Sequence, residues 1–352
     1  MDERSDNPMG TNGFEFIEFT APDISELDRL FRRMGFRVTA RHRSKQVTLY
    51  QQGDVNFVVN AETGSFGQAF ARLHGPSVCA FALRVDDAGA AYERAVRLGA
   101  KPYHRPAGPM ELNIPAIFGI GNSLIYFVDR YGDRTIYDVD FETVTDTEGE
   151  DEPEVGLADV DHLTHNVFRG RMDEWARFYE RLFKFRQIRY FNIEGKITGL
   201  RSRAMVSPCG KVRIPINESA DNKSQIAEYL EAYRGEGIQH IAVSTDDIYE
   251  TVKNLRARGT TFMTVPDTYY EAVDARLPGH GEDLGRLREN RILIDGAPDS
   301  GGGLLLQIFT ETVIGPIFLE IIQRKGNEGF GEGNFQALFE SIEADQMRRG
   351  VI

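Results

Sequence analysis

The second half of this chain repeats the pattern order of the first, and a duplicated unit has to build its core twice on one plan. Near the start of each half an alternating apolar stretch runs into an amphipathic helix and a further strand: FEFIEFTAPDISELDRLFRRMGFRV from Phe14, and VDHLTHNVFRGRMDEWARFYERLFKFRQI from Val160. In the middle, CAFALRVDDAGAAYERAVRLGAK from Cys79 matches QHIAVSTDDIYETVKNLRARGTT from Gln239, which predicts strand, Asp-Asp turn, helix and a closing glycine. Asp86 and Asp246 fall where a helix N-cap is wanted. At the end, GNSLIYFVDR from Gly121 matches GPIFLEIIQR from Gly315, an apolar strand followed by Arg. Runs such as QVTLYQQGDVNFVVN and KVRIPINES lie between these anchors and read as short strands broken by turn residues. Each half is therefore expected to be strand, helix, then several strands.

The 352 residues suffice for two such units. The stretch TDTEGEDEPEVG, from Thr145 to Gly156, is acidic and poor in apolar residues, the composition of a solvated linker. The expected division is a flexible N-terminus over 1–13, a first domain over 14–144, a linker over 145–158 and a second domain over 159–352. A net charge of -13 without a basic cluster argues against nucleic acid and against an anionic membrane, leaving a small molecule as the expected partner. No apolar run approaches the roughly 18 residues of a membrane span, and Met1 to Gly13 lack the apolar stretch of a signal peptide, so a cytoplasmic location is expected. Cys79 and Cys209 are expected to be free thiols without a role, and His42, His74, His104 and His280 to be surface residues.

The duplication also serves as a control. A residue needed for folding should recur in both copies, whereas a site need exist in only one. Superposing the motifs puts His162 opposite Phe16, His240 opposite Ala80 and Glu320 opposite Tyr126. The scaffold thus tolerates apolar or aromatic groups at these positions, so a buried His or Glu there carries a desolvation cost that something must offset. A divalent iron would offset it: two imidazoles and one carboxylate on one face leave open positions for reactants. The three residues lie roughly eighty positions apart on separate predicted strands. DHLTHN offers both His162 and His165, which strand alternation sends to opposite faces, and the repeat does not choose between them because Phe16 and Phe19 are equally apolar.

DHLTHN, GIQHIAV, FLEIIQRKG and the terminal GFGEGNF together resemble the 4-hydroxyphenylpyruvate dioxygenase family, over nearly the whole chain from Phe14 to about Ser341. The resemblance implies an α+β fold of two tandem vicinal-oxygen-chelate domains, each of paired βαβββ modules forming an open barrel-like sheet, the second domain being catalytic. It implies a lid helix over 334–348. It selects His162, His240 and Glu320 as ligands of one Fe(II) per chain. It also implies Gln307, Phe309 and Asn217 as catalytic residues, and Ser202, Gln225, Phe318, Phe330, Asn334 and Phe335 beside them around the substrate. The implied reaction converts 4-hydroxyphenylpyruvate and O2 to homogentisate and CO2, with decarboxylation of the 2-oxo acid supplying electrons, followed by ring hydroxylation and side-chain migration. Homo-oligomers, dimers or tetramers, are the family tendency.

Three other activities fit parts of this pattern. 4-Hydroxymandelate synthase shares substrate and triad but hydroxylates the benzylic carbon. It is expected to lack the Asn of PIN and to carry a smaller aliphatic residue in place of a pocket Phe, whereas Asn217 and Phe309 are both present here. An extradiol dioxygenase would need a pocket His as acid and base, for which His165 is the candidate. A binding protein of the same fold would need no triad.

Overall fold

The computed structural model describes residues 6–104, 108, 111–145, 155–194, 199–220 and 224–337. Its first half contains β1 (Phe14–Thr20), α1 (Ser25–Arg33), β2 (Arg37–His42), β3 (Val47–Gln52), β4 (Val55–Asn60), α2 (Phe66–His74), β5 (Ser77–Arg84), α3 (Ala88–Arg97), β6 (Pro102–Tyr103), β7 (Ala116–Phe118), β8 (Leu124–Val128), α4 (Tyr137–Asp140) and β9 (Phe141–Thr143). The second contains β10 (Leu157–Val167), α5 (Met172–Phe183), β11 (Arg186–Glu194), β12 (Gly199–Val206), β13 (Arg213–Ser219), α6 (Gln225–Tyr233), β14 (Gly237–Thr245) and α7 (Ile248–Ala257). It continues through α8 (Asp267–Glu271), α9 (Val273–Arg276), α10 (Leu284–Asn290), β15 (Leu293–Gly296), β16 (Leu304–Phe309) and β17 (Phe318–Lys325).

The strands form two curled sheets of one design. The first runs β9-β2-β3-β4-β1-β5-β8-β7-β6 and the second β11-β12-β13-β10-β14-β17-β16-β15, so among the described residues β9 alone has no counterpart. Correspondence extends to register: Phe16 faces Ala82 and Glu18 faces Ala80, while His162 faces Ala242 and Thr164 faces His240. Even the irregularities recur, after Glu18 in β1 and after Thr164 in β10. The parallel pairs Ala82–Tyr126 and Ala242–Glu320 complete the match, so the equivalences read from the motifs hold in three dimensions.

Alternation sorts each central strand into two environments. One face of β1 and β10 looks into the curl of its sheet. The other, with Ile17 and Phe19 or Leu163 and Val167, joins a single apolar cluster that runs through both halves. Helices cover that outer side, Phe127 meeting Phe183 of α5 at 6.1 Å between ring centroids.

Several expectations are corrected in detail. The caps of α3 and α7 are Asp87 and Asp247, one residue later than Asp86 and Asp246: Asp87 accepts from Ala90 N, and Asp247 from Tyr249 N and Glu250 N. Such a cap contributes about 1 kcal/mol. The closing glycines do appear, Gly99 and Gly259 taking φ of 91° and 84°, where a side chain would be strained. The stretch over 6–13, expected to be flexible, is packed: Met9 is buried and Asn7 bonds the backbone of Thr11 on both sides. β10 starts at Leu157, inside the expected linker, whose residues 146–154 lie outside the described ones. His74 is a buried joint rather than a surface residue, its ring stacked on Tyr233 at 4.5 Å and its Nδ1 2.7 Å from the Tyr233 carbonyl. Cys79 is buried in β5 and Cys209 half-buried in a turn, both free thiols.

Candidate metal centre

Three adjacent strands, β10, β14 and β17, each bring one metal-competent side chain to the inside of the second sheet: His162, His240 and Glu320. All three are buried, and their ligand-capable atoms lie within 4.8 Å of one another. His162 Nε2 is 3.3 Å from His240 Nε2, and Glu320 Oε2 is 3.2 Å from the first and 3.4 Å from the second. The far sides of both rings are already engaged. His162 Nδ1 donates to Asp161 Oδ1 at 2.7 Å, and His240 Nδ1 donates to Gln239 Oε1 at 2.9 Å. Neutral imidazoles held in that tautomer turn lone pairs inward beside a carboxylate, the one on His240 Nε2 lying 2.9 Å from the Thr164 hydroxyl. A cation satisfies such a set; two imidazoles and one carboxylate are the donors a non-haem iron takes, and the residues present fit it.

A supporting layer holds this geometry. The Asp161 carboxyl is kept far below the usual carboxylate range: burial acts against this, but bonds from Arg324 and His162 outweigh it. Arg324 Nε and Nη2 reach Asp161 at 2.7 and 2.8 Å, and its Nη1 donates to the carbonyls of Asn327 and Gly329. Glu320, likewise buried, is held from behind. Its Oε1 accepts from Gln307 Nε2 at 3.2 Å, Gln307 Oε1 accepts from Asn334 Nδ2 at 2.9 Å, and Asn334 Oδ1 accepts from Tyr269 at 2.5 Å. A Cβ on Gly331, at φ 76°, would stand 1.8 Å from Gln307 Oε1, so only glycine lets the chain pass there.

Around the triad lie Ser202, Asn217, Gln307, Phe309, Phe330 and Phe335. Ser202 and Asn217 pair across β12 and β13, and Phe318 stacks on the His240 ring at 4.8 Å. Asn334 stands behind the wall, on Gln307. Gln225 departs from expectation. Ser224 caps α6, and Gln225, in its first turn, is exposed and outside the cavity lining. His165 faces the opposite side of β10, fully buried, its Nε2 2.7 Å from the Tyr179 hydroxyl; burial pushes its pKa down to about 3. It is therefore not in the cavity where a ring-cleaving acid or base would stand. Residues 332–337 are helical, and the rest of the expected lid, 338–348, lies outside the described residues.

Sequence reasoning missed Asp161, Arg324 and Tyr269 as supports and Thr164, Phe191, Leu200 and Pro215 as wall residues. Asp161 could have been found, since an acid beside a candidate ligand His is a plausible orienter. Tyr269 could not, because nothing local ties it to a site 51 positions from Glu320.

Comparison with known proteins agrees with this geometry. Residues 5–142 match the profile described as Hydroxyphenylpyruvate dioxygenase, HPPD, N-terminal, and residues 159–273 match that of the Glyoxalase/Bleomycin resistance protein/Dioxygenase superfamily. The chain is 63% identical to 4-hydroxyphenylpyruvate dioxygenase of Pseudomonas aeruginosa, over 98% of this chain and 97% of that one. It is also 63% identical to Hemolysin VllY of Vibrio vulnificus, over 98% of each. Among solved structures, a triple mutant of 4-hydroxymandelate synthase from Streptomyces coelicolor matches with a TM-score of 0.80 and 25% identity, over 96% of this chain and all of that one. The chain belongs to the 4-hydroxyphenylpyruvate dioxygenase family, whose members are non-haem iron enzymes.

Proposed function

We propose that the chain converts 4-hydroxyphenylpyruvate and O2 to homogentisate and CO2, with one Fe(II) per chain held by His162, His240 and Glu320. The observation that carries this reading is the inward convergence of two imidazole lone pairs and a carboxylate on adjacent strands, in the one half of a duplicated scaffold that has them. Iron held there supplies the redox centre that links loss of CO2 from the 2-oxo acid to reduction of O2.

The chain's own residues do the positioning. Asn217 and Ser202, opposite the triad on β13 and β12, offer an amide and a hydroxyl to the substrate phenol, because a buried hydroxyl needs a partner. Phe309 and Phe335 flank the ring, and Phe330 packs edge-on to His162 at 5.4 Å. Gln307 holds Glu320 in place and links it through Asn334 to the C-terminal segment. The space left at the triad is about 30 Å³, too little for a substituted aromatic ring. Admission of substrate therefore requires part of the wall to give way, and Phe330 and Phe335 of the C-terminal segment belong to that wall. The division into a first domain over 14–144 and a catalytic second domain belongs to this reading, as do a homo-oligomeric state and a cytoplasmic location; among the described residues no helix is long and apolar enough to cross a membrane.

The second reading, benzylic hydroxylation to 4-hydroxymandelate, shares the triad. The presence of Asn217 and Phe309 at the cavity wall favours ring chemistry. Chromatography of the product from 4-hydroxyphenylpyruvate decides: homogentisate is expected, and 4-hydroxymandelate overturns the assignment.

A further inference from the structure

The carboxamide of Asn166 is fully buried, and neither its Oδ1 nor its Nδ2 has a hydrogen-bond partner among the described residues. A buried amide left in that state costs stability, so its retention calls for a partner that arrives later. Alternation along β10 puts His162, Thr164 and Asn166 on the face that looks into the curl, while Leu163, His165 and Val167 face the core. Asn166 pairs in register with Asn217 of β13, and Asn217 with Ser202 of β12, so three polar side chains form a row across three adjacent strands. Thr164, Asn217 and Ser202 all line the space at the triad. That space, about 30 Å³, ends short of Asn166. The row stands two residues beyond Thr164, which faces His240, or roughly 7 Å along the strand. This matches the span from the keto carbon to the phenol oxygen of 4-hydroxyphenylpyruvate.

The first half again serves as the control. The position equivalent to Asn166 is Thr20, which faces Ser77 on β5 as Asn166 faces Gly237 on β14. The Thr20 hydroxyl is satisfied locally, donating to the Asn60 carbonyl at 3.3 Å. The scaffold therefore folds with a short, self-satisfied side chain here, and the second half has an unpaired carboxamide instead. On the side away from the metal the row is closed by α6: a Cβ on Gly237 would stand 2.4 Å from Tyr233 Cε1 and 2.8 Å from Tyr229 Oη. The Tyr229 hydroxyl is committed to the Ile238 carbonyl at 2.9 Å. A partner for Asn166 thus comes from the cavity side, once the wall has given way to substrate.

We propose that Asn166 is a specificity-determining residue of the second half, its carboxamide joining Asn217 and Ser202 around the phenol hydroxyl of the bound substrate. A phenol donates once and accepts twice, and two carboxamides with one hydroxyl offer both complements. A ring without the hydroxyl leaves Asn166 unpaired in the complex, so the site rejects it. This inference rests on the substrate reading above.

The test is calorimetric titration of 4-hydroxyphenylpyruvate and of phenylpyruvate into the full-length, iron-loaded protein without oxygen. The parent is expected to bind the hydroxylated compound more tightly. Asn166→Leu, close in size but without polar atoms, should weaken that compound at least about tenfold and leave phenylpyruvate within about twofold. Its urea midpoint should be unchanged or raised, because an unpaired buried amide has been removed. Asn166→Thr installs the residue the first half has at this position and should lose discrimination in the same way, so the question stays decidable if the leucine variant fails to fold. Equal affinity of the parent for both compounds, or no binding of either, overturns the proposal. So does retained discrimination in either folded variant, or an equal fall for both ligands with a lowered urea midpoint, the mark of a structural amide. Product chromatography of the parent fails independently: homogentisate with unaltered discrimination in the variants sinks only the role of Asn166, whereas another product with lost discrimination sinks only the product assignment.

Discussion

The two halves share strand order, register and even the position of strand irregularities, yet among the described residues only one converges three acceptors on a point. Where the second half has His162, His240 and Glu320, the first has Phe16, Ala80 and Tyr126, with the Phe16 and Tyr126 ring centroids 5.7 Å apart. The comparison separates what the fold requires from what the chemistry requires. A curled sheet folds with either set, so the triad contributes nothing the scaffold needs, and its desolvation cost is offset by hydrogen-bonded supports and by the ion it can hold. Asp161, Arg324 and Gln307 are those supports, two acting on His162 and the third on Glu320.

The largest test of that contrast removes the acceptors themselves. Glu320→Ala or His240→Ala is expected to lose bound iron and to lower turnover on the order of a thousandfold or more. Metal analysis beside an oxygen-uptake assay checks it, and retained iron with retained activity in Glu320→Ala would remove the basis of the assignment. Next is the support: Asp161→Asn should weaken iron binding by about ten- to a hundredfold, read by chelator competition, with circular dichroism unchanged. Unaltered affinity would mean that the ligand geometry does not depend on the Asp161 charge.

A third test uses His165, the histidine of the same motif that faces the core. Its imidazole titrates near 6.5 when unfolded but only near 3 in the fold, so below 6.5 the unfolded state binds the extra proton. The stability is complete above 6.5 and is lost as pH falls toward 3, at about 1.4 kcal/mol per pH unit from this group. His165→Gln should flatten urea-unfolding stability against pH by about that slope between about pH 4 and 6; an unchanged slope would show that His165 is not held neutral. The smallest effect is expected in the first half, where Tyr126→Phe should leave turnover within a few-fold of the parent. A drop comparable to that of Glu320→Ala would break the contrast between the halves.

Much of the second half's site was legible because it sits in contiguous motifs. DHLTHN, GIQHIAV and FLEIIQR each place one ligand at a fixed offset inside one strand, and the repeat shows which positions are dispensable for folding. The choice between His162 and His165 was open on the repeat alone; the strand's alternation puts one beside His240 and the other beside Tyr179. Gln225 was misplaced because its neighbour Ser224 takes the cap and leaves Gln225 in an exposed first turn. The caps themselves were off by one residue, since DD offers two carboxylates and the helix start selects between them. His74 was read as exposed because the pairing with Tyr233, 159 residues away, has no local trace.

The sequence by itself determined the duplication, the strand-helix-strand order, the family and the three convergent side chains, because period-2 alternation and short motifs are local properties of a chain. Only the tertiary structure decided which faces enclose space and which join the shared core, and how Asp161, Arg324, Asn334 and Tyr269 reach the ligands. Those depend on the curl of each sheet and on contacts between residues distant in sequence, and side-chain patterns along a strand do not encode the volume that strands enclose when they close around one another.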